Sequence, residues 1–139
     1  MSVLIFIDTA EGQVKKSSFE ALCYGAKVAE QLGTHAEGVL LGECKDDVAS
    51  LGKYGVKKIY HIADTVLNTL DAQVYAHAIT EVAKAAGSNV LVVSNNLSGK
   101  AIAPRISVRL KAGLVAGANA LPDTSNGFVA TSCSVDLFP

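Results

Sequence analysis

Residues 89–113, NVLVVSNNLSGKAIAPRISVRLKAG, decide how the rest of this chain is read. The stretch opens with the apolar run Val90-Leu91-Val92-Val93, breaks into a polar turn at 94–100 and continues as a helix-like segment whose closure is predicted at Gly113. An apolar run without alternation suits a strand covered on both faces, as in a parallel sheet flanked by helices. The turn brings small residues to a helix N-terminus, where free backbone N–H groups and the helix dipole can hold an anion. A Walker-type phosphate loop would need glycine where Ser94 stands and serine or threonine where Ala101 stands, so only its Gly99-Lys100 element is present. The same letters fit an ordinary strand-to-helix connection with Ser98 as N-cap. Pro104 lacks the N–H that a helix interior uses, which predicts an irregular first turn or a helix start close to it.

Working outward, residues 3–7 predict a buried first strand that places Asp8 at its C-terminal end, followed by a loop over 9–16 that turns at Gly12. Ser17 and Glu20 have the spacing of a capping box, and the helix they open is predicted to run to Leu32, with Gly33 just past its end. Its polar stripe is Glu20, Tyr24, Lys27 and Gln31, and its inward face holds Leu22, Ala26 and Ala29. A second strand is predicted over 35–41, a short helix over 44–51, and a third strand over 57–62 whose lysines put it nearer an edge. Asp71 is the predicted N-cap of the next helix. That helix has Tyr75, Ile79, Val82 and Ala86 on one face, Gln73, His77, Thr80, Glu81 and Lys84 on the other, and Gly87 at its end. Residues 114–121 and 128–133 read as two more strands, joined by a turn and antiparallel to each other. The alternation of strands and helices predicts a three-layer α/β/α architecture with a mainly parallel sheet and an antiparallel extension at one edge.

With 139 residues, half of them hydrophobic, the chain reads as a single domain spanning 1–139. At that size it can bury ~65–70% of its unfolded surface. A formal charge of −1 gives no electrostatic footprint for nucleic acid or an anionic membrane. The apolar N-terminus is too short to span a membrane and carries no basic leader. Cys23, Cys44 and Cys133 form neither a C-x-x-C pair nor an even framework, and His35, His61 and His77 share no ligand spacing. Reduced thiols, no metal and a cytoplasmic location are the expectation. No nucleophile–base arrangement or paired-carboxylate motif gives a catalytic site. The candidates for a ligand contact are Asp8, at a strand end where open α/β sheets bind their ligands, and Ser98, Gly99 and Lys100 in the phosphate-like turn.

The run Ser98-Gly99-Lys100, then Pro104-Arg105, then Arg109-Leu110 and Ala112-Gly113-Leu114, resembles the N-terminal domain of the electron-transfer flavoprotein alpha subunit. The resemblance extends to the opening strand, Gly42 and Gly55-Val56-Lys57, and so covers essentially the whole chain. It implies a Rossmann-like sheet of the adenine nucleotide alpha hydrolase-like type and a non-catalytic role as scaffold and subunit-interaction domain. In such a complex FAD carries electrons from dehydrogenases, and the partner is a beta subunit. Gly117 stands where the family tends to have an acidic residue. The glycine- and serine-rich loops with which the family holds FAD are not in this sequence, so FAD is expected in the full-length complex and not on this chain. The sequence stops at Asp136-Leu137-Phe138-Pro139 straight after a predicted strand, which reads as an excised domain, a truncated product or an altered reading frame. Apolar surface left uncovered by such a cut predicts self-association.

The alternative is a stand-alone adenine-nucleotide-binding domain of the universal-stress-protein type, with AMP or ATP reached by Asp8 and the 94–100 turn. An enzyme acting on an adenylate would need a P-P-loop-like signature after the first strand, which Thr9-Ala10-Glu11-Gly12 does not supply.

Overall fold

In the computed structural model of the chain, which describes residues 2–10, 12–45, 48–64, 67, 71–94 and 97–114, strand β1 (Val3–Ile7) runs through the middle with all five side chains buried. Alternate residues serve opposite layers, as the two-residue period of a strand dictates. Val3, Ile5 and Ile7 pack with Leu22, Val28 and Ala29 of helix α1 (Lys16–Gln31). Leu4 and Phe6 pack against α2 (Ala72–Ala86) and α3 (Leu97–Leu110) through Tyr75, Ile79, Ala83, Ile102 and Ile106. Two cores on the two faces of one sheet give the three layers.

The remaining parallel strands are β4 (Ala36–Leu41), β5 (Val56–Ile62) and β6 (Val90–Val92), in the spatial order β5-β4-β1-β6. Val3 pairs with Ala36 on one side and Val90 on the other. The chain thus steps outward from β1 to β5 and crosses back to place β6 on β1's free side. The strand order reverses between β1 and β6, where open α/β sheets form a crevice at the strands' C-terminal ends. β5 stands at the sheet edge among the described strands, with Lys57 and Lys58 exposed, as its charge predicts. β6 is half-buried rather than covered on both faces, because it is the other outermost described strand.

Close approach of α1 to β1 depends on Gly25, where a Cβ would lie 2.5 Å from Ile5. The helix ends as its sequence predicts. Gly33 has φ +66°, its N–H donates to the Glu30 carbonyl (3.1 Å), and the Thr34 N–H donates to Ala29 (2.9 Å). This is a Schellman closure. Its start differs from expectation: the helix begins at Lys16, Lys15 holds the extended N-cap position without a side-chain cap, and Ser17 lies within the first turn. The capping box is displaced by a hairpin that local spacing did not reveal. Strands β2 (Thr9–Ala10) and β3 (Gln13–Val14) pair antiparallel and deliver the chain directly into α1. The antiparallel pair predicted over 114–121 and 128–133 lies outside the described residues.

Other departures have similar tertiary causes. The short helix expected over 44–51 is a 3₁₀ helix at Val48–Tyr54. Thr80, assigned to the solvent face of α2, is buried, and its hydroxyl donates to the Ala76 carbonyl at 2.6 Å. With its hydroxyl satisfied one turn back, the side chain can be enclosed. Helix α3 starts at Leu97 rather than after a Ser98 cap, so Pro104 sits inside it. The proline removes one intrahelical donor, and nearby the Arg105 guanidinium donates to the Ala101 carbonyl at 2.7 Å. Closure comes at Lys111 (φ +52°), earlier than Gly113, with the Ala112 N–H on the Ser107 carbonyl at 3.0 Å.

Asp71 caps α2 as predicted, accepting from the Gln73 and Val74 N–H groups at 3.0 and 3.4 Å. Asp71→Ala is expected to cost about 1 kcal/mol, read as a lower urea midpoint with an unchanged slope. An effect below about 0.3 kcal/mol would show that the exposed α2 start does not depend on its cap.

Candidate functional site

At the β1–β6 crevice the chain gathers polar groups from four segments. Asp8 ends β1 and is buried. Its backbone N–H donates to the Ser18 hydroxyl (2.8 Å), and its carbonyl accepts from that hydroxyl (2.9 Å) and from the Lys15 N–H (3.0 Å). The exit of β1 is therefore stitched to the first turn of α1. The Asp8 carboxylate meets the Lys15 ammonium, Oδ2 to Nζ at 3.0 Å.

Lys15 then reaches across the crevice. Its Nζ lies 3.5 Å from the Ser98 hydroxyl in the first turn of α3, and the Ser94 hydroxyl donates to the Ser17 carbonyl at 3.1 Å. Gly99 is buried directly beneath, and a Cβ there would fall 1.9 Å from the Ser94 carbonyl oxygen. Glycine at this position is a condition of the fold, since it lets α3 begin against the end of β6. Lys100 is exposed on the outer side of α3.

Of the four residues singled out from sequence, Asp8 and Ser98 are thus joined through one lysine, Gly99 is packed against backbone, and Lys100 points away. Lys15 is the residue that the sequence reading missed. Nothing local separates it from the exposed Lys16 beside it; only the β2–β3 hairpin aims it at Asp8.

Tyr75 closes the other side of Asp8's surroundings. Its ring meets Phe6 edge to face (centroids 6.2 Å apart), and its hydroxyl donates to the Leu67 carbonyl. Burial, and then the negative charge of Asp8, raise its pKa above the ordinary 10.0. Burial raises that of Tyr24 as well. A tyrosine that keeps its proton longer when folded leaves stability intact below pH 10.0 and withdraws it as pH rises beyond, because the unfolded chain ionises first. Tyr75→Phe is expected to lose less stability between about pH 9 and about pH 11 than the parent chain. Identical losses in urea titrations at both values would remove Tyr75 as the source.

A dinucleotide in this crevice would need backbone N–H groups at a glycine turn straight after the first strand. That position holds the Asp8 carboxylate, its lysine and a hairpin, so the described residues after β1 offer no such glycine turn. Among the described residues no group of three metal-ligating side chains occurs, and no helix is long and apolar enough to cross a membrane.

The sequence profile of the electron transfer flavoprotein domain matches residues 3–134. The chain belongs to the electron transfer flavoprotein family. It is 28% identical to the electron transfer flavoprotein subunit alpha of Thermoanaerobacterium thermosaccharolyticum over 128 residues, covering 91% of this chain and 39% of that protein. It is 27% identical to the acryloyl-CoA reductase electron transfer subunit beta of Anaerotignum propionicum over 139 residues, covering 97% of this chain and 38% of that protein. These matches bear out the resemblance to the alpha-subunit N-terminal domain carried by the Ser98-to-Leu114 motif. The chain spans about two fifths of the length of these curated relatives. A universal stress protein from Archaeoglobus fulgidus aligns over 81% of this chain and 93% of its own, with TM-score 0.51 and 14% identity. That likeness shows a shared α/β fold.

Proposed function

We propose that this electron transfer flavoprotein domain is a non-catalytic scaffold and subunit-interaction module of an alpha-type subunit. In the complete cytoplasmic complex FAD is held by other polypeptide, and a beta-type subunit is the partner. The observation that carries the reading is the family match over residues 3–134. The crevice supports it from the chemical side: where a related sheet would present free N–H groups to a phosphate, Asp8 carries negative charge and Lys15 spans the gap to Ser98. An electron carrier needs a redox cofactor, because ordinary side chains of this composition supply neither a suitable potential nor stable radical states.

Co-expression with a beta-type electron transfer flavoprotein subunit tests the reading. A stable one-to-one complex is expected, while the chain purified alone should show no visible flavin absorbance. Stoichiometric flavin on the isolated chain would overturn it, as would failure to co-purify with the beta-type subunit. Calorimetry addresses the adenine-nucleotide alternative. AMP is expected to give no heat of binding at concentrations up to about 1 mM, and tighter binding would favour a nucleotide-binding domain.

A further inference from the structure

Helix α3 is apolar on two opposite sides. Ile102 and Ile106 enter the core beside α2, with Ser98 and Gly99 on the same side. At 3.6 residues per turn, Leu97, Ala101, Pro104 and Val108 fall within an arc of about 60° on the opposite side. Leu97 is 86% exposed and Val108 78% exposed. Pro104 is exposed and Ala101 half-buried. A surface helix ordinarily turns polar residues outward, and one that is apolar all round is covered. The row is about 17 Å long at 1.5 Å per residue.

Cations line both margins of this row. Lys100 lies on one side, Arg105 lies on the other and Lys111 follows the helix end, while Arg109, seven residues after Ile102, is exposed on the flank nearer the core. Residues 97–114 include no acidic residue. The ammonium groups of Lys100 and Lys111 and the guanidinium of Arg109 make no ion pair among the described residues, and Arg105 is engaged only with its own helix carbonyl.

Charge selects among the occupants that could cover such a surface. A second copy seated on the same face would set three cations against three, a repulsion that no acidic residue of α3 offsets. An anionic membrane surface matches the charge. However, membrane-seated helices immerse a broad face rich in Trp, Phe and Leu, whereas this row is narrow, has no aromatic residue and backs onto a helix face already committed to the core. A helical segment with its own apolar row between carboxylates satisfies both the hydrophobic strip and its margins.

We propose that the outer face of α3 is a docking surface for an acidic amphipathic segment of another polypeptide, with Leu97 and Val108 as apolar anchors and Lys100 and Arg105 as the charged rim. The proposal rests on the interaction-domain reading only in taking the chain to be one part of an assembly. It does not depend on the partner being a beta-type subunit.

The test is fluorescence anisotropy with a synthetic helical peptide of Leu, Ala and Glu, its apolar row flanked by glutamates, run beside the same peptide with lysines in place of the glutamates. The acidic peptide is expected to bind, and to bind more weakly as salt is raised. Leu97→Asp and Val108→Asp should each weaken it by about tenfold or more, and Lys100→Glu with Arg105→Glu by a similar factor. All of these positions are exposed, and circular dichroism melts of the variants should match the parent chain. The proposal is overturned by no binding at about millimolar peptide, by equal binding of the lysine peptide, or by variants that bind like the parent. Two further results would assign the face elsewhere and also overturn it. One is binding to phosphatidylcholine–phosphatidylserine vesicles that is lost in Val108→Asp, and the other is a dimer of the chain alone that Leu97→Asp dissociates. Peptide binding without a complex with a beta-type subunit would leave this assignment standing and remove the functional reading.

Discussion

Gly99→Ala is expected to be the most damaging conservative change at the candidate site, lowering stability by about 3 kcal/mol. The added methyl would lie 1.9 Å from the Ser94 carbonyl oxygen and 3.0 Å from Val93 Cγ1. The first of these is a backbone atom, so no rotamer change relieves the overlap. Ser94 has little room to retreat, because its hydroxyl is bonded to the Ser17 carbonyl of α1. Either the end of β6 or the start of α3 has to move, and a chain of this size has only about 5–15 kcal/mol to lose. Urea unfolding should show a lower midpoint with little change in slope, and the thermal midpoint should fall by roughly 10 °C. Gly52→Ala is the control, since a Cβ there meets nothing within 4 Å. If the two variants unfold together, Gly99 is not holding the strand-to-helix connection. The comparison also matters for any ligand study: binding lost in Gly99→Ala would report collapsed packing before it reported a missing contact.

Lys15→Met is expected to cost about 2 kcal/mol. Taking the ammonium from a buried carboxylate generally costs more, about 3–5 kcal/mol. Here water reaches Lys15, whose side chain is 34% exposed against 5% for Asp8, which lowers the figure. The diagnostic measurement is a double-mutant cycle. Asp8→Asn in the Lys15→Met background should recover most of the loss, because the charge that needed compensation is gone. Additivity within about 0.5 kcal/mol would mean that the 3.0 Å contact contributes no coupling.

What could be read from the sequence was whatever is decided within a turn or two of chain. The apolar runs at 3–7 and 35–41, the Asp71 cap, the stops at Gly33 and Gly87 and the outermost position of β5 among the described strands follow from local residue chemistry, and the structure reproduces them. The family motif at Ser98 to Leu114 was legible for the same reason. What could not be read depends on partners distant in sequence. Ser98 looks like a helix cap until β6 and Gly99 bring the Ser94 carbonyl beneath the helix, and α3 begins two residues earlier, at Leu97. Thr80 looks solvent-facing until α3 packs beside α2 and widens the buried arc. Lys15 looks like one of two equivalent lysines until the hairpin turns it toward Asp8.

The lysine-bearing margin of the sheet has a further bearing on how this chain meets other molecules. Hydrogen-bonding another strand onto β5 would bring its side chains past Lys57 and Lys58 and strip water from both ammonium groups. Lengthening the sheet from that side is therefore unfavourable, and growth into fibrils by edge-to-edge stacking is discouraged at the same place.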